Sequence, residues 1–219
     1  MELIPAIDLK NYKVVFASNS IRDNYKEIPS TLSPTSEPIK FIKYLQTICN
    51  FNTIYIADLD SINKFTSKNY IIEEILVTFK NINFIIDNGV RTYSEIYTYK
   101  SINYTQIIAT ETFIDYKLLH KKSFIDYILS VDCLEKKIIS MSDDYKFLKP
   151  KSVICMNLDN IGRKTGINHK NLYIVKKHFP CADLIYSGGI KNKKNIKNLK
   201  KKGCNKVILL TAILEKIFI

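Results

Sequence analysis

The chain has 219 residues, enough for one sizeable core and short for two independent ones. Its net charge of +12 rests almost wholly on lysine, with only Arg22, Arg91 and Arg163 as arginines, whereas a nucleic-acid surface would gather its cations on one face among arginines and aromatics. No apolar run approaches the roughly 18 residues a spanning helix needs, so neither nucleic acid nor a membrane is an expected partner.

From the N-terminus, ELIPAIDL enters an apolar strand pattern over 2–7 with no basic leader ahead of it. A stretch at about 17–38, rich in proline and serine and without helical period, separates it from a helix at 36–49 and a strand at 53–58. A helix at 66–80 carries Ile71, Ile72, Ile75, Leu76 and Phe79 on one stripe. The same alternation predicts strands at 82–87, 104–109, 126–131, 151–157, 182–187 and 204–209. Helices are expected at 92–100, 111–121, 142–148, 168–178, 191–201 and 211–217. In the lysine-rich run KNKKNIKNLKKK, Ile196 and Leu199 lie three apart, which makes an amphipathic helix with a solvated lysine face. Eight strands, each followed by a helix, is the count of a closed (β/α)8 TIM barrel. A dinucleotide-binding open sheet finds no G-x-G-x-x-G after the first strand.

The chain also repeats itself. IPAIDLKNYKVV pairs with ILSVDCLEKKII, placing Asp8 and Asp132 124 residues apart. IADLDSI pairs with CMNLDNI at an offset of 99, IIDNGVR with IYSGGIK at 100, and IIATE with ILLTA at 101. One insertion between the first two strands, the stretch at 17–38, reconciles the first offset with the others. Two half-barrels, at about 1–121 and 122–219, are therefore expected. As the first strand-to-helix loop, the insertion would lie over the mouth where such barrels carry their sites. There Arg22, Tyr25 and Lys26 could close over an anionic substrate, or the loop could be plain surface.

Asp8 and Asp132 end buried strands at that mouth, where a carboxylate is costly to bury unless something uses it. Two carboxylates across a mouth can divide acid and base work; the alternative is that each caps its own loop. Ser187, Gly188 and Gly189 let the backbone approach an anion closely, and Thr211 with Ala212 would complete a phosphate site, although Gly-Gly also makes an ordinary turn. The repeat suggests a second such site at Asn88-Gly89 and Ala109-Thr110. Asp58 is expected to line the mouth, while Asp60 and Asp159 fit loop capping as well as site duty. Cys133 would face the outer layer if Asp132 faces in. The five cysteines form no C-x-x-C pair, and His120, His169 and His178 form no ligand cluster. No disulfide framework, metal or cofactor is therefore expected, and the cysteines suit a reducing cytoplasm.

The opening IPAIDLKNYKVV, with ADLD at 57–60 and SGGIKN at 187–192, resembles the histidine-biosynthesis barrel family over the whole chain. That family contains the phosphoribosylformimino-AICAR isomerase (HisA) and the cyclase subunit of imidazole glycerol phosphate synthase. The resemblance implies a two-fold repeated barrel with catalytic aspartates at positions 8 and 132 and a phosphate site in each half. It also implies an Amadori-type isomerisation without metal or organic cofactor. The chain departs from the family pattern at Asn88, at Ala109-Thr110-Glu111, at Met156, at Asp159-Asn160-Ile161-Gly162 and at Leu210. Glu111 would repel a phosphate. NYKEIPSTLSPTSEP and YIADLDSI are similar to the HisA-related barrels of methanogens and methylotrophs, which implies a place in tetrahydromethanopterin or methanofuran (one-carbon) metabolism. The sequence thus leads to an isomerase-like enzyme acting on a small, phosphorylated metabolite. The alternatives are the histidine-pathway isomerisation itself, or a silent barrel serving as a binding or scaffold subunit.

Overall fold

Alternation along each strand decides which side chains fill the inside of the sheet and which face the helices. The computed structural model describes residues 1–17, 21–64, 69–96, 99–121 and 126–217. In chain order the elements are β1 (Glu2–Lys10), β2 (Lys13–Phe16), β3 (Lys26–Glu27), α1 (Pro38–Ile48), β4 (Thr53–Asp58), α2 (Leu59–Lys64), α3 (Tyr70–Thr78), β5 (Asn83–Asp87) and β6 (Tyr104–Ala109). They continue with α4 (Tyr116–Lys121), β7 (Tyr127–Leu134), β8 (Lys137–Ile139), β9 (Ser152–Asn157), α5 (His169–His178), β10 (Asp183–Ser187), α6 (Lys193–Lys201), β11 (Cys204–Leu209) and α7 (Thr211–Leu214).

Eight of the strands run parallel in the order β1-β4-β5-β6-β7-β9-β10-β11, and β11 pairs back onto β1 from Glu2↔Lys206 to Pro5↔Leu209. The sheet is thereby a closed barrel without free edges, as the strand count predicts. Each barrel strand contributes at least one large side chain to the inner core, Ile4, Tyr55, Ile85, Ile107, Ile128, Ile154, Ile185 and Ile208, and β9 adds Met156. Their neighbours in sequence, such as Ile54, Ile56, Ile86, Ile108, Val131 and Cys133, join the larger core between the barrel and the helices. Burying each such side chain stabilises the fold by roughly 1.5–3 kcal/mol. Leu199 is buried on the inner face of α6 and Ile196 is half-buried, leaving the lysines of that helix to solvent.

Two hairpins stand above the barrel. β1 continues past its parallel partners and folds back onto β2 (Lys10↔Lys13), and β7 does the same onto β8 (Leu134↔Lys137). Both turns have two residues at positive φ, Asn11 and Tyr12 in one, Glu135 and Lys136 in the other. This is the mirror-image turn whose twist matches that of the flanking strands. Asp60 accepts a hydrogen bond from the Asn11 N–H at 2.6 Å, and Asp159 accepts one from the Glu135 N–H at 2.6 Å. The two aspartates that could have capped loops do so here, each fastening a hairpin tip.

The helix expected at 92–100 is a 3-10 turn at Tyr93–Glu95, closed by a capping box between Thr92 and Glu95; residues 97 and 98 lie outside the described residues. The helix expected at 142–148 is likewise a 3-10 segment, Asp143–Phe147. Neither segment has an apolar stripe long enough to hold several turns against the barrel. The helix expected at 66–80 is seen as Tyr70–Thr78, its first residues falling outside the described set. Among the described residues no helix is long and apolar enough to cross a membrane.

Candidate active site

The C-terminal ends of the barrel strands enclose a cavity of about 400 Å³. Asp8 of β1 and Asp132 of β7 share the parity of the inner core, so both point into it, from strands on opposite sides of the ring. Two further strand-end carboxylates join them, Asp87 at the end of β5 and Glu111 just after β6, while the exposed Asp23 of the first loop lines the rim. Across the barrel, at the ends of β10 and β11, the lining changes to Ser187, Gly188, Gly189, Thr211 and Ala212. Arg163 and Lys164 stand beside these in the loop after β9, and Lys164 pairs with Glu215 at 2.8 Å.

The four carboxylates sit in different surroundings. Asp132 is 2% exposed and accepts hydrogen bonds from Ser130 Oγ at 2.8 Å, Thr110 Oγ1 at 3.3 Å and the Glu111 N–H at 3.1 Å. Burial, and then the nearby Glu111 and Asp87, nevertheless push its pKa well above the usual carboxylate range, against the pull of Ser130 and the Glu111 N–H. Asp8 is only partly buried, and among the described residues no donor hydrogen-bonds its carboxylate. Burial raises it to about 6, with Arg22 pulling it down and Asp87 pushing it up. Asp87 accepts from the Gly89 N–H at 3.1 Å and from the Tyr55 hydroxyl at 3.3 Å. Burial and Glu111 carry it to about 6, opposed by Arg22. The cavity therefore sets a partly open Asp8, tempered by Arg22, opposite an enclosed Asp132 whose proton affinity burial, Glu111 and Asp87 raise. Two carboxyls in such unlike surroundings can divide acid and base work.

Arg22 lines the cavity with a carboxylate already beside it. It reaches the mouth from a 3-10 turn (Arg22–Asn24) in the first loop, whose backbone is tied down by Lys10 Nζ on the Arg22 carbonyl at 3.2 Å and the Asp23 carbonyl at 2.9 Å. Its guanidinium pairs with Glu111 instead of waiting open for an anion. Burial works against its charge, but Glu111, Asp87 and Asp132 more than offset that and raise its pKa. Tyr25 also lines the cavity, while Lys26 is exposed on β3; residues 18–20 of this loop lie outside the described set.

Asp58 does not line the cavity. It shares the parity of Ile54 and Ile56, faces the outer layer, and accepts from Ser61 Oγ at 2.6 Å and the Ser61 N–H at 3.3 Å, opening α2. Asn88 and Gly89 also stay out: Asn88 Oδ1 accepts from Gln106 Nε2 at 2.8 Å, and Gly89 packs on Ile62. The mirror of the Ser187 site is therefore built from Asp87 and Glu111. Sequence reasoning passed over Asp87, although the repeat IIDNGVR/IYSGGIK already set it opposite Ser187. Gly188 and Gly189, by contrast, are required as glycines. Both have positive φ, and a Cβ would fall 2.6 Å from the Asn157 carbonyl oxygen in the first and 2.4 Å from that of Gly166 in the second. Among the described residues no group of His, Cys, Asp and Glu is arranged to hold a metal ion.

Comparison with known proteins bears on this geometry. The chain is 30% identical to an uncharacterized protein of Methanocaldococcus jannaschii, over 97% of this chain and 93% of the other. It is 27% identical to the 1-(5-phosphoribosyl)-5-((5-phosphoribosylamino)methylideneamino)imidazole-4-carboxamide isomerase of Buchnera aphidicola subsp. Cinara cedri, covering 99% and 95% of the two chains. The isomerase of the same name from Leuconostoc mesenteroides is 22% identical over 97% and 94%. Residues 2–218 match the family described as histidine biosynthesis protein, and the chain belongs to that family.

Proposed function

We propose that this barrel is an isomerase that moves a proton between adjacent carbons of a small phosphorylated metabolite, with Asp8 and Asp132 as the exchanging pair. The observation that carries this reading is the placement of both carboxylates in one cavity from opposite strands, Asp8 partly open and beside Arg22, Asp132 enclosed by Ser130, Thr110 and the Glu111 N–H, with burial raising the proton affinity of each. Asp132, protonated, donates to a ring oxygen and so opens the sugar. Asp8, ionised, takes the proton from the carbon beside the resulting C=N group, and the enaminol that forms is reprotonated at the neighbouring carbon. The phosphate is held at Ser187, Gly188 and Gly189, which line the cavity and can offer it a hydroxyl and backbone N–H groups, with Arg163 and Lys164 alongside.

The names of the full-length relatives make the phosphoribosyl isomerisation of histidine biosynthesis the first substrate to test. A role in one-carbon cofactor metabolism rests on the resemblance of NYKEIPSTLSPTSEP and YIADLDSI, and the names of the relatives given above do not support it. Complementation of a strain lacking the histidine-pathway isomerase separates the two. Growth restored by the native chain and lost with Asp8→Asn or Asp132→Asn establishes the histidine reaction. Growth that survives both substitutions removes the two aspartates from catalysis.

A further inference from the structure

The ends of the barrel cavity differ in charge, and the difference falls on positions that the internal repeat makes equivalent. Asp87 occupies the place that Ser187 holds 100 residues later, and Glu111 the place that Ala212 holds 101 residues later. All four line the cavity, two at the ends of β5 and β6 and two at the facing ends of β10 and β11. The β10–β11 end offers the Ser187 and Thr211 hydroxyls, two glycines at positive φ and Arg163, with Lys164 beside it paired to Glu215, and no carboxylate lies among Ser187, Gly188, Gly189, Thr211 and Ala212. The β5–β6 end offers two carboxylates, with Asp8 and Asp132 close enough to perturb or be perturbed by them. Among the described residues the cation lining this end is Arg22, which is already paired with Glu111. Pairing with Glu111 leaves Asp87 and Asp8 without an ion-pair partner among the described residues, so a phosphate brought to this end would meet repulsion in a site partly shielded from water.

We propose that the substrate carries a single phosphate, seated at Ser187, Gly188 and Gly189, and that its other end, lying against Asp87 and Glu111, bears no anionic group. This rests on the phosphate placement of the proposed function and narrows it to monophosphates with a neutral, hydroxyl-rich or amine-bearing far end. It sets the chain apart from relatives whose name specifies two phosphoribosyl groups. Asp87 and Glu111 are then specificity-determining residues, and Arg22 is their counter-ion and not a phosphate clamp.

The test is calorimetric titration of the whole chain with fructose 6-phosphate and with fructose 1,6-bisphosphate, probes that differ by one phosphate. The native chain should bind the monophosphate at least tenfold more tightly. Glu111→Ala, which releases Arg22, should gain about tenfold for the bisphosphate, and Asp87→Ser with Glu111→Ala should abolish the preference. Glu111→Ala is the partly exposed, milder change and keeps the test open if the double variant does not fold. Equal or tighter binding of the bisphosphate by the native chain overturns the inference and leaves the phosphate site standing. Binding of neither probe removes the phosphate site, and both proposals fall with it.

Discussion

The first four and last four barrel strands share their scaffolding and differ in what they present to the cavity. In both, an aspartate on the leading strand faces inward, the strand runs on into a two-residue hairpin at positive φ, and an aspartate after the next strand pins the tip. The surroundings of the two inward aspartates diverge from there. Asp132 is enclosed by three donors, while Asp8 is partly open and tempered by Arg22 from the long first loop. The supports of a site are thus repeated and its charges are not. Repetition of a backbone frame constrains geometry tightly, but the side chains at the strand ends touch little of the core and are free to take on separate roles.

The largest effect should come from breaking the aspartate pair. Asp8→Asn and Asp132→Asn keep shape and remove the titrating group, and each should lower kcat by about 10²–10⁴-fold, read with the substrate that complementation identifies. A bell-shaped kcat/KM profile is expected in the native chain, rising through about pH 6 as Asp8 ionises and falling where Asp132 loses its proton. Arg22→Ala removes the one influence that lowers Asp8, so the rising limb should move to higher pH; an unmoved limb would detach Arg22 from the acid–base pair.

Next come the glycines that repeat without matching in role. Gly89→Ala and Gly189→Ala both force a Cβ onto nearby atoms at positive φ, 2.7 Å from the Ile62 Cα and 2.4 Å from the Gly166 carbonyl oxygen. Each should cost more than about 1 kcal/mol in denaturant titration. Only Gly189 lines the cavity, so only Gly189→Ala should also raise KM, by roughly tenfold for a lost charge-assisted hydrogen bond.

Asp87 tests whether the acidic end is held at the expense of stability. Its carboxyl sits at about 6 in the fold against an ordinary 3.8, so the folded chain keeps this proton to higher pH than the unfolded chain does. The stability it contributes is therefore full below pH 3.8 and is lost as pH rises through about 6. A shift of this size corresponds to about 3 kcal/mol in a group that is 5% exposed. Asp87→Asn should melt higher than the native chain at pH 8 and no higher at pH 3.5, with substrate selectivity impaired.

Much of this was legible in the sequence, and the residues that were not share a cause. The eight strands, the offset repeat and the two inward aspartates all follow from periodicity and self-similarity. Asp58 was misplaced because ADLD was read as a motif; its parity with Ile54 and Ile56 already sent it outward. Asp87 was hidden by its neighbours, since the asparagine and glycine after it resemble a phosphate turn while the acid before them occupies the site. Arg22 lies in a stretch without period, where only a folded backbone reveals that Lys10 delivers it to Glu111. The short 3-10 segments at 93–95 and 143–147 fall where too little apolar surface exists to extend a helix.

The smallest effect bears most directly on the shared scaffolding. Asp60→Ala and Asp159→Ala each remove the acceptor for one exposed hairpin N–H, which water can partly replace, so each should cost about 0.5–1.5 kcal/mol. If the two hairpins are equivalent supports, the costs should agree within about 0.5 kcal/mol and add in the double variant, since the tips share no hydrogen-bond partner among the described residues. A larger cost at Asp60 would mean that the first hairpin also carries the loop that delivers Arg22, because Lys10, one residue before the turn, holds the Arg22 and Asp23 carbonyls. In that case Asp60→Ala, but not Asp159→Ala, should also move the rising limb of the pH profile in the direction of Arg22→Ala, tying the hairpin tip to the charge balance at Asp8.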